Sequence, residues 1–249
     1  MYSLKANMLN EIEKIWRRRK TKVFLLLTLL IPVICTMLLS LLRNKTSVIW
    51  GLGGDLPMLM LSLFTFFLLP MMLSITAVDS FSGEVAARTI KLVLVRPITR
   101  AKAFAAKVLA IMVYAWVYLS VLWIVSSVSG WAIAGEGITG GLADSLKAYT
   151  AAFLPMAAIG LLSVFIAQCF RTGSGALTTI IFVYATGKLL PFIFPKVSGW
   201  SVFSYSNWHV LWTGSGASVG KLFNTFLFLL AYIIMSYTAG LMLFERKQL

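Results

Sequence analysis

Acidic side chains are scarce in this chain. Only eight of its 249 residues are Asp or Glu, and none of these falls inside a long apolar run. A relay of paired carboxylates within the bilayer, which a proton-driven carrier needs, is therefore missing. Histidine occurs once and cysteine twice. Cys35 and Cys169 both lie in apolar stretches without metal-ligand neighbours at useful spacing, which argues against a disulfide scaffold and a metal site. Intramembrane proteolysis would want a second polar catalytic group at depth, such as an Asp pair or a Ser with a His, and none is apparent. A nucleotide site is also missing. The run Ser215-Gly-Ala-Ser-Val-Gly220-Lys221-Leu222 looks like a phosphate loop, but its first glycine is displaced to Gly214 or Gly216. Leu222 also stands where Ser or Thr is required, and no strand precedes the run. Asn44-Lys45-Thr46 forms a glycosylation sequon, but it hugs an apolar run, and so short a motif often arises by chance.

Apolar residues are what the chain has in abundance. They make up 59% of it against 12% charged, which defines an all-α integral membrane protein rather than a soluble domain. A formal charge of +14 invites a nucleic-acid reading. The basic residues, however, sit at the ends of apolar runs, where the positive-inside rule places them, so no nucleic acid is expected. The first apolar run starts only at Val23, is about 20 residues long and lacks a small-x-small site after it, so no cleavable signal peptide is expected.

Six transmembrane spans follow from the runs 23–42, 56–78, 108–128, 148–170, 176–195 and 222–244, each near the roughly 20 residues a bilayer requires. Pro32, Pro70, Pro155 and Pro191 lie within them, which is tolerated where a neighbour or water satisfies the freed carbonyl. Sixteen Lys and Arg fall on one side and five on the other, so both termini are expected in the cytoplasm. Residues 1–22 precede the six-helix domain, 23–249. Leu4, Met8, Ile12, Ile15 and Trp16 share one side of a helix there, with a basic cluster at its end. This pattern predicts an amphipathic helix in the cytoplasmic interface, drawn to anionic headgroups.

Residues 79–107 form the one long segment that is neither lipid-soluble nor short. It carries Arg88, Lys91, Arg96, Arg100, Lys102 and Lys107 against Asp79 and Glu84. Phe81, Val85, Thr89 and Leu92 recur at helical spacing, and Glu84 can pair with Arg88 one turn on. Pro97 should stop that helix, and a second can start just after it and run into the next span. A charged helix–turn–helix beneath a membrane domain suits docking to a soluble partner; a solvated loop that only fixes topology fits the composition equally well. The external segment 196–221 is dense in aromatics: Trp200, Phe203, Tyr205, Trp208 and Trp212, the last two one turn apart on a helix face. It reads either as short helices dipping into the outer leaflet or as an aromatic belt on a loose loop. A lone histidine such as His209 is more often a structural hydrogen-bonder than a base or a ligand. Ala152, Ala157, Gly160, Ser163 and Ala167, and the pair Ser236 and Gly240, allow close helix packing.

Lys188 is the one charge well inside a span. Gly187 precedes it and Pro191 follows three residues on, so the helix bends easily there. Either the lysine snorkels to the interface, or it is a cation facing a wet pathway.

Glu84, then Thr89-Ile-Lys-Leu-Val-Leu-Val-Arg96-Pro97-Ile98-Thr99-Arg100, then Lys107, resembles the cytoplasmic signature of ABC-2-type permeases. That family has a Glu, a Gly-Thr, a leucine-rich run, Pro-(Val/Ile)-(Ser/Thr)-Arg and a Lys leading into the third span. The likeness extends over essentially the whole plan: interfacial helix, six spans, and a polar, aromatic segment between spans five and six. One departure matters: Arg88 stands where the family has Gly, which argues for a helix running straight through. The resemblance implies an ABC-2, type V exporter-like architecture in a bacterial cytoplasmic membrane. The permease would pair with a second permease, as homo- or heterodimer, and with two copies of a separate ABC ATPase. ATP and Mg would be bound by that ATPase, with no cofactor in this chain. Segment 79–107 would sit in a cleft on the ATPase, with Glu84, Arg88, Thr89, Arg96, Pro97, Arg100 and Lys107 as coupling residues. Spans one, two and five would line the path; Lys188 is a candidate for it, and Trp200, Tyr205, Trp208, His209 and Trp212 are candidates for an external gate. The cargo would be hydrophobic or amphipathic: a peptide antibiotic, a drug or a lipid-like molecule. Two rivals remain, a membrane sensor that binds an antimicrobial without moving it, and an ion channel or secondary carrier.

Overall fold

The computed structural model describes residues 2–43, 56–87, 99–134, 141–194, 199–213 and 218–246, and the elements among them are all helical. Helices α1 (Tyr2–Arg17) and α2 (Arg19–Arg43) are separated by Arg18 alone. The Thr21 hydroxyl donates to the Ile15 carbonyl at 2.6 Å, adding to the Arg18 N–H that the same carbonyl accepts at 3.3 Å and bracing the break. The Thr21 carbonyl in turn accepts from the Tyr118 hydroxyl at 2.6 Å, which pins this corner to the third span.

The second span is composite: α3 (Leu56–Leu63), a π-helical turn (Phe64–Leu68) and α4 (Leu69–Ser80). Pro70 explains the irregularity. It has no N–H to give the Phe66 carbonyl one turn back, and its ring crowds that carbonyl. The backbone widens instead, and the Leu69 N–H reaches back five residues to the Phe64 carbonyl. At the other end of this span the helix does not run on through Phe81 as its spacing predicts. Phe81, with φ −116° and ψ −78°, breaks it and starts the short α5 (Ser82–Ala86). The cause is packing: the Phe81 ring is buried against Phe104 and Phe244, with centroids 5.7 and 6.2 Å away. The Ser82 hydroxyl covers the Val78 carbonyl at 3.1 Å.

Helix α6 (Arg100–Ala134) starts just after Pro97, as expected, because Thr99 caps it. Thr99 accepts the Lys102 N–H on its hydroxyl at 3.4 Å and the Ala103 N–H on its carbonyl at 3.1 Å. Then come α7 (Leu142–Cys169), α8 (Gly173–Ile193), a 3₁₀ turn (Val202–Tyr205), α9 (Val210–Thr213) and α10 (Val219–Arg246). Among the described residues, six helical stretches are long and apolar enough to cross a membrane.

Helix α7 is the hub. Two thirds of its apolar window is buried (67%), against 11% for the first and fifth spans, so those two present most of their surface outward. It packs against α4, α6, α8 and α10, while α1 and α2 lie on α6. Small residues make this possible: Ala152, Gly160, Ser163 and Ala167 are all buried. A Cβ on Gly240 would stand 3.1 Å from the Phe104 ring and 3.2 Å from the Gln168 amide nitrogen, a tight fit that the bare glycine relieves where α10 meets α6 and α7. Between lipid-solvated helices such contact, rather than the hydrophobic effect, supplies the association energy. Ser74 and Ser163 add a hydroxyl–hydroxyl bond at 3.0 Å, worth on the order of 0.6 kcal/mol in such a bundle.

Candidate functional site

Two polar clusters sit at opposite ends of the bundle: a basic end, which carries α1, α5 and the start of α6, and an aromatic end, which carries residues 199–213. At the basic end Lys107 is 1% exposed, yet it lies among carboxylates. Its ammonium lies 3.0 Å from a Glu11 carboxylate oxygen and 2.7 Å from a Glu84 carboxylate oxygen. Lys14 approaches the other oxygen of each, at 2.8 and 3.5 Å. Two carboxylates and two ammoniums thus alternate in a neutral square, with the Phe81 ring 5.9 Å from Lys107 Nζ. Burial on its own would raise the pKa of Glu11; the ammoniums of Lys107 and Lys14 outweigh it and hold the carboxylate below its ordinary value.

The square joins three elements. Glu11 and Lys14 come from α1, Glu84 from α5, and Lys107 from the second turn of α6. Neighbouring contacts reinforce it: Lys20 pairs with Asp79 at 3.0 Å, and Arg18 donates to the Ser80 hydroxyl and the Asp79 carbonyl, both at 3.4 Å. Arg100 donates to the Glu245 backbone carbonyl at 2.8 Å, linking the start of α6 to the end of α10.

Of the residues expected to couple, Glu84 and Lys107 therefore meet each other, and Arg100 meets the C-terminal helix. Arg88, Thr89, Arg96 and Pro97 lie outside the described residues. Glu11 and Lys14 went unrecognised in the sequence. The line of α1 that is fully buried is Asn7, Glu11 and Ile15, whereas Leu4, Met8, Ile12 and Trp16 are half-buried. The helix is thus turned so that an edge of its apolar arc faces α6. A signal existed: Glu11 lies within about 20° of Leu4 on the helical wheel, and a carboxylate at the rim of an apolar face calls for a buried cation.

At the aromatic end, helix α8 carries Tyr184, Gly187 and Lys188. The Tyr184 hydroxyl donates to the Phe66 carbonyl, the very group that Pro70 frees. Pro191 frees the Gly187 carbonyl in the same way, and the Ser201 hydroxyl takes it at 3.2 Å. An added Cβ on Gly187 would stand 2.2 Å from the Phe203 ring, so glycine is what lets the 3₁₀ turn seat against α8. The Lys188 ammonium donates to the Ser206 hydroxyl and stands 4.8 Å from the Phe66 ring centroid. Among the described residues no carboxylate lies within 4.0 Å of it.

His209 is buried and exchanges a hydrogen bond through Nε2 with the Ser62 hydroxyl at 3.2 Å. Burial pushes its imidazole down to about 4, which favours the neutral form. Trp208 is buried and meets Trp212 edge-on, ring centroids 5.5 Å apart. Trp200 is exposed and is held through its backbone carbonyl by the Tyr232 hydroxyl at 2.9 Å; Tyr205 packs on Phe228 at 5.2 Å. The segment is thus built of short helical turns seated on the bundle. Among the described residues no group of His, Cys, Asp and Glu has the arrangement of a metal site.

Six apolar spans, and a charged segment whose two ends are rooted in one buried ion cluster, define a polytopic membrane protein built on a transporter plan. A family model described as ABC-2 family transporter protein matches residues 8–188, and the chain belongs to that family. The match takes in all four members of the ion square and ends at Lys188. Permeases of the family generally work with an ABC ATPase partner. No curated protein shows significant similarity to the chain.

Proposed function

We propose that this chain is the permease subunit of an ATP-driven exporter, with the basic end in the cytoplasm. Two permeases and two copies of a separate ATPase would form the working unit, and the cargo would be hydrophobic or amphipathic. The observation that carries this reading is the buried Lys107, shared between Glu11 and Glu84. These residues bracket the charged segment, so its root is one rigid body with α1 and α6. Force applied to the segment by a soluble motor would pass to the second and third spans rather than dissipate in a flexible hinge. Glu84 and Lys107 serve in this reading as positioning residues, and direct contact with the ATPase falls to the basic residues further along the segment. The Lys and Arg asymmetry supports the orientation.

The test is reconstitution with the ATP-binding protein that co-purifies with the chain. ATP-dependent movement of an amphipathic dye across proteoliposomes, lost when Glu84→Gln and Glu11→Gln are combined while hydrolysis continues, is the expected result. Binding of cargo without ATP-dependent flux would make the protein a sensor. Conduction by the purified chain alone would make it a channel. Either outcome overturns the permease reading.

A further inference from the structure

The Lys188 ammonium, at the aromatic end, has only neutral partners among the described residues. Its depth does not force this. It lies five residues before the end of α8, roughly 7.5 Å along the axis, and a lysine stem can cover that distance to headgroup level. Its tip instead turns under segment 199–213, onto the Ser206 hydroxyl, which is 1% exposed, and beside the Phe66 ring. A hydroxyl and a ring face leave most of the ammonium's charge uncompensated, and a charge-assisted bond to an anion is about twice as strong as one to a neutral acceptor. Ser206 belongs to the stretch that also pins Ser201 and Phe203 against Gly187.

We propose that Lys188 is the seat of an anionic headgroup carried on an apolar body, and that this anion takes the place of the Ser206 hydroxyl. The apolar body lies on the outward apolar surface of α8, where only 11% of the span's window is buried. Exchange of Ser206 for the anion removes one of the pins that hold segment 199–213 on α8, so the ligand itself loosens the cover above it. The proposal deepens the permease reading by naming a cargo class, but its test needs no ATPase.

The full-length protein is placed in nanodiscs of phosphatidylcholine alone or of phosphatidylcholine and phosphatidylglycerol in equal parts. Retained phosphatidylglycerol is counted by native mass spectrometry. A Val202→Cys reporter, in a background with Cys35 and Cys169 replaced by Ser, reads exposure of the turn, since Val202 is 1% exposed. The parent should retain phosphatidylglycerol, Lys188→Arg should match it, and Lys188→Met should bind about tenfold less or worse. Ser206→Ala should bind at least as well as the parent, because only the competitor is lost. Thiol labelling of the reporter should rise in phosphatidylglycerol discs and not when Lys188→Met is added. Inorganic phosphate added to phosphatidylcholine discs separates the sources. If it raises labelling with the same dependence on Lys188, a free anion suffices; if it does not while phosphatidylglycerol does, the apolar body is needed. Equal retention by the parent and Lys188→Met, or binding without a rise in labelling, overturns the proposal. The permease reading is untouched by either result, because it stands on ATP-dependent flux.

Discussion

Replacing Lys107 by Met keeps a side chain of similar length in the same buried slot and removes only the charge. Glu11 and Glu84 then share Lys14, whose ammonium stands 2.8 and 3.5 Å from them on a side chain 38% exposed. Removing one member of a buried ionic pair costs about 3–5 kcal/mol, and the retained Lys14 places this case near the lower end. For a chain of this size about 3 kcal/mol corresponds to a fall of roughly 6–12 °C in the melting temperature. The pH dependence carries a sign that simple loss of packing does not. In the parent, Glu11 is held below its ordinary value of 4.5, so its ionised form adds stability that is present above that value and is lost as pH falls through the folded-state value. In Lys107→Met burial prevails and raises the carboxyl, so the variant loses stability as pH rises above 4.5. The gap between parent and variant should be widest at neutral pH and narrow toward pH 4.5. Thermal unfolding in nanodiscs across that range measures it. The triple variant Glu11→Gln, Glu84→Gln, Lys107→Met carries no stranded charge and should recover most of the loss. A gap that does not change with pH, or a triple variant no better than the single one, would refute the ionic account of the root.

With Cys35 and Cys169 replaced by Ser, Ser218→Cys should label with an impermeant maleimide from outside intact cells and Ala87→Cys should not; the reverse pattern inverts the topology. Gly187→Ala drives a Cβ to 2.2 Å from the Phe203 ring and should cost about 1–3 kcal/mol in thermal stability, with Phe203→Leu restoring part of it. His209 has its folded-state value lowered to about 4, so the unfolded chain takes up a proton that the folded one refuses as pH falls from about 6.5. The parent should lose up to about 3 kcal/mol over that interval, and His209→Gln should show a flatter profile.

Composition and period were enough for the number of spans, the helical start after Pro97 and the seat of the small residues on α7, because each follows from a local rule. The break at Phe81 was not legible. Phe81 and Val85 keep helical spacing, and only the presence of Phe104 and Phe244, 23 and 163 residues away in sequence, draws the ring inward and ends α4 early. Glu84 illustrates the same limit. Arg88, its expected partner one turn on, lies outside the described residues, but Lys107 and Lys14 also meet it, and no spacing rule connects them. Lys188 lay between these cases: the sequence marked it as anomalous and supplied no acid for it, but Ser206 could be found only by folding.

The two intramembrane prolines of spans two and five say how the aromatic end is held. Each frees one backbone carbonyl, at Phe66 and at Gly187, and each carbonyl receives a hydroxyl from another element, Tyr184 and Ser201. Helix α8 is thereby fastened to the second span through one bond and to segment 199–213 through another, with Lys188 to Ser206 as a third. Most of its remaining apolar window faces outward, 11% of it being buried. Hydrogen bonds between elements of a membrane bundle average about 0.6 kcal/mol and seldom exceed about 1.7. Three of them sum to about 2–5 kcal/mol, within the differential affinity a ligand can supply to shift a two-state equilibrium. The basic end is different: a buried charge square costs more to open than such a bond. The bundle is therefore locked by charge at the end where the charged segment is rooted, and at the other end α8 is held through hydroxyl groups.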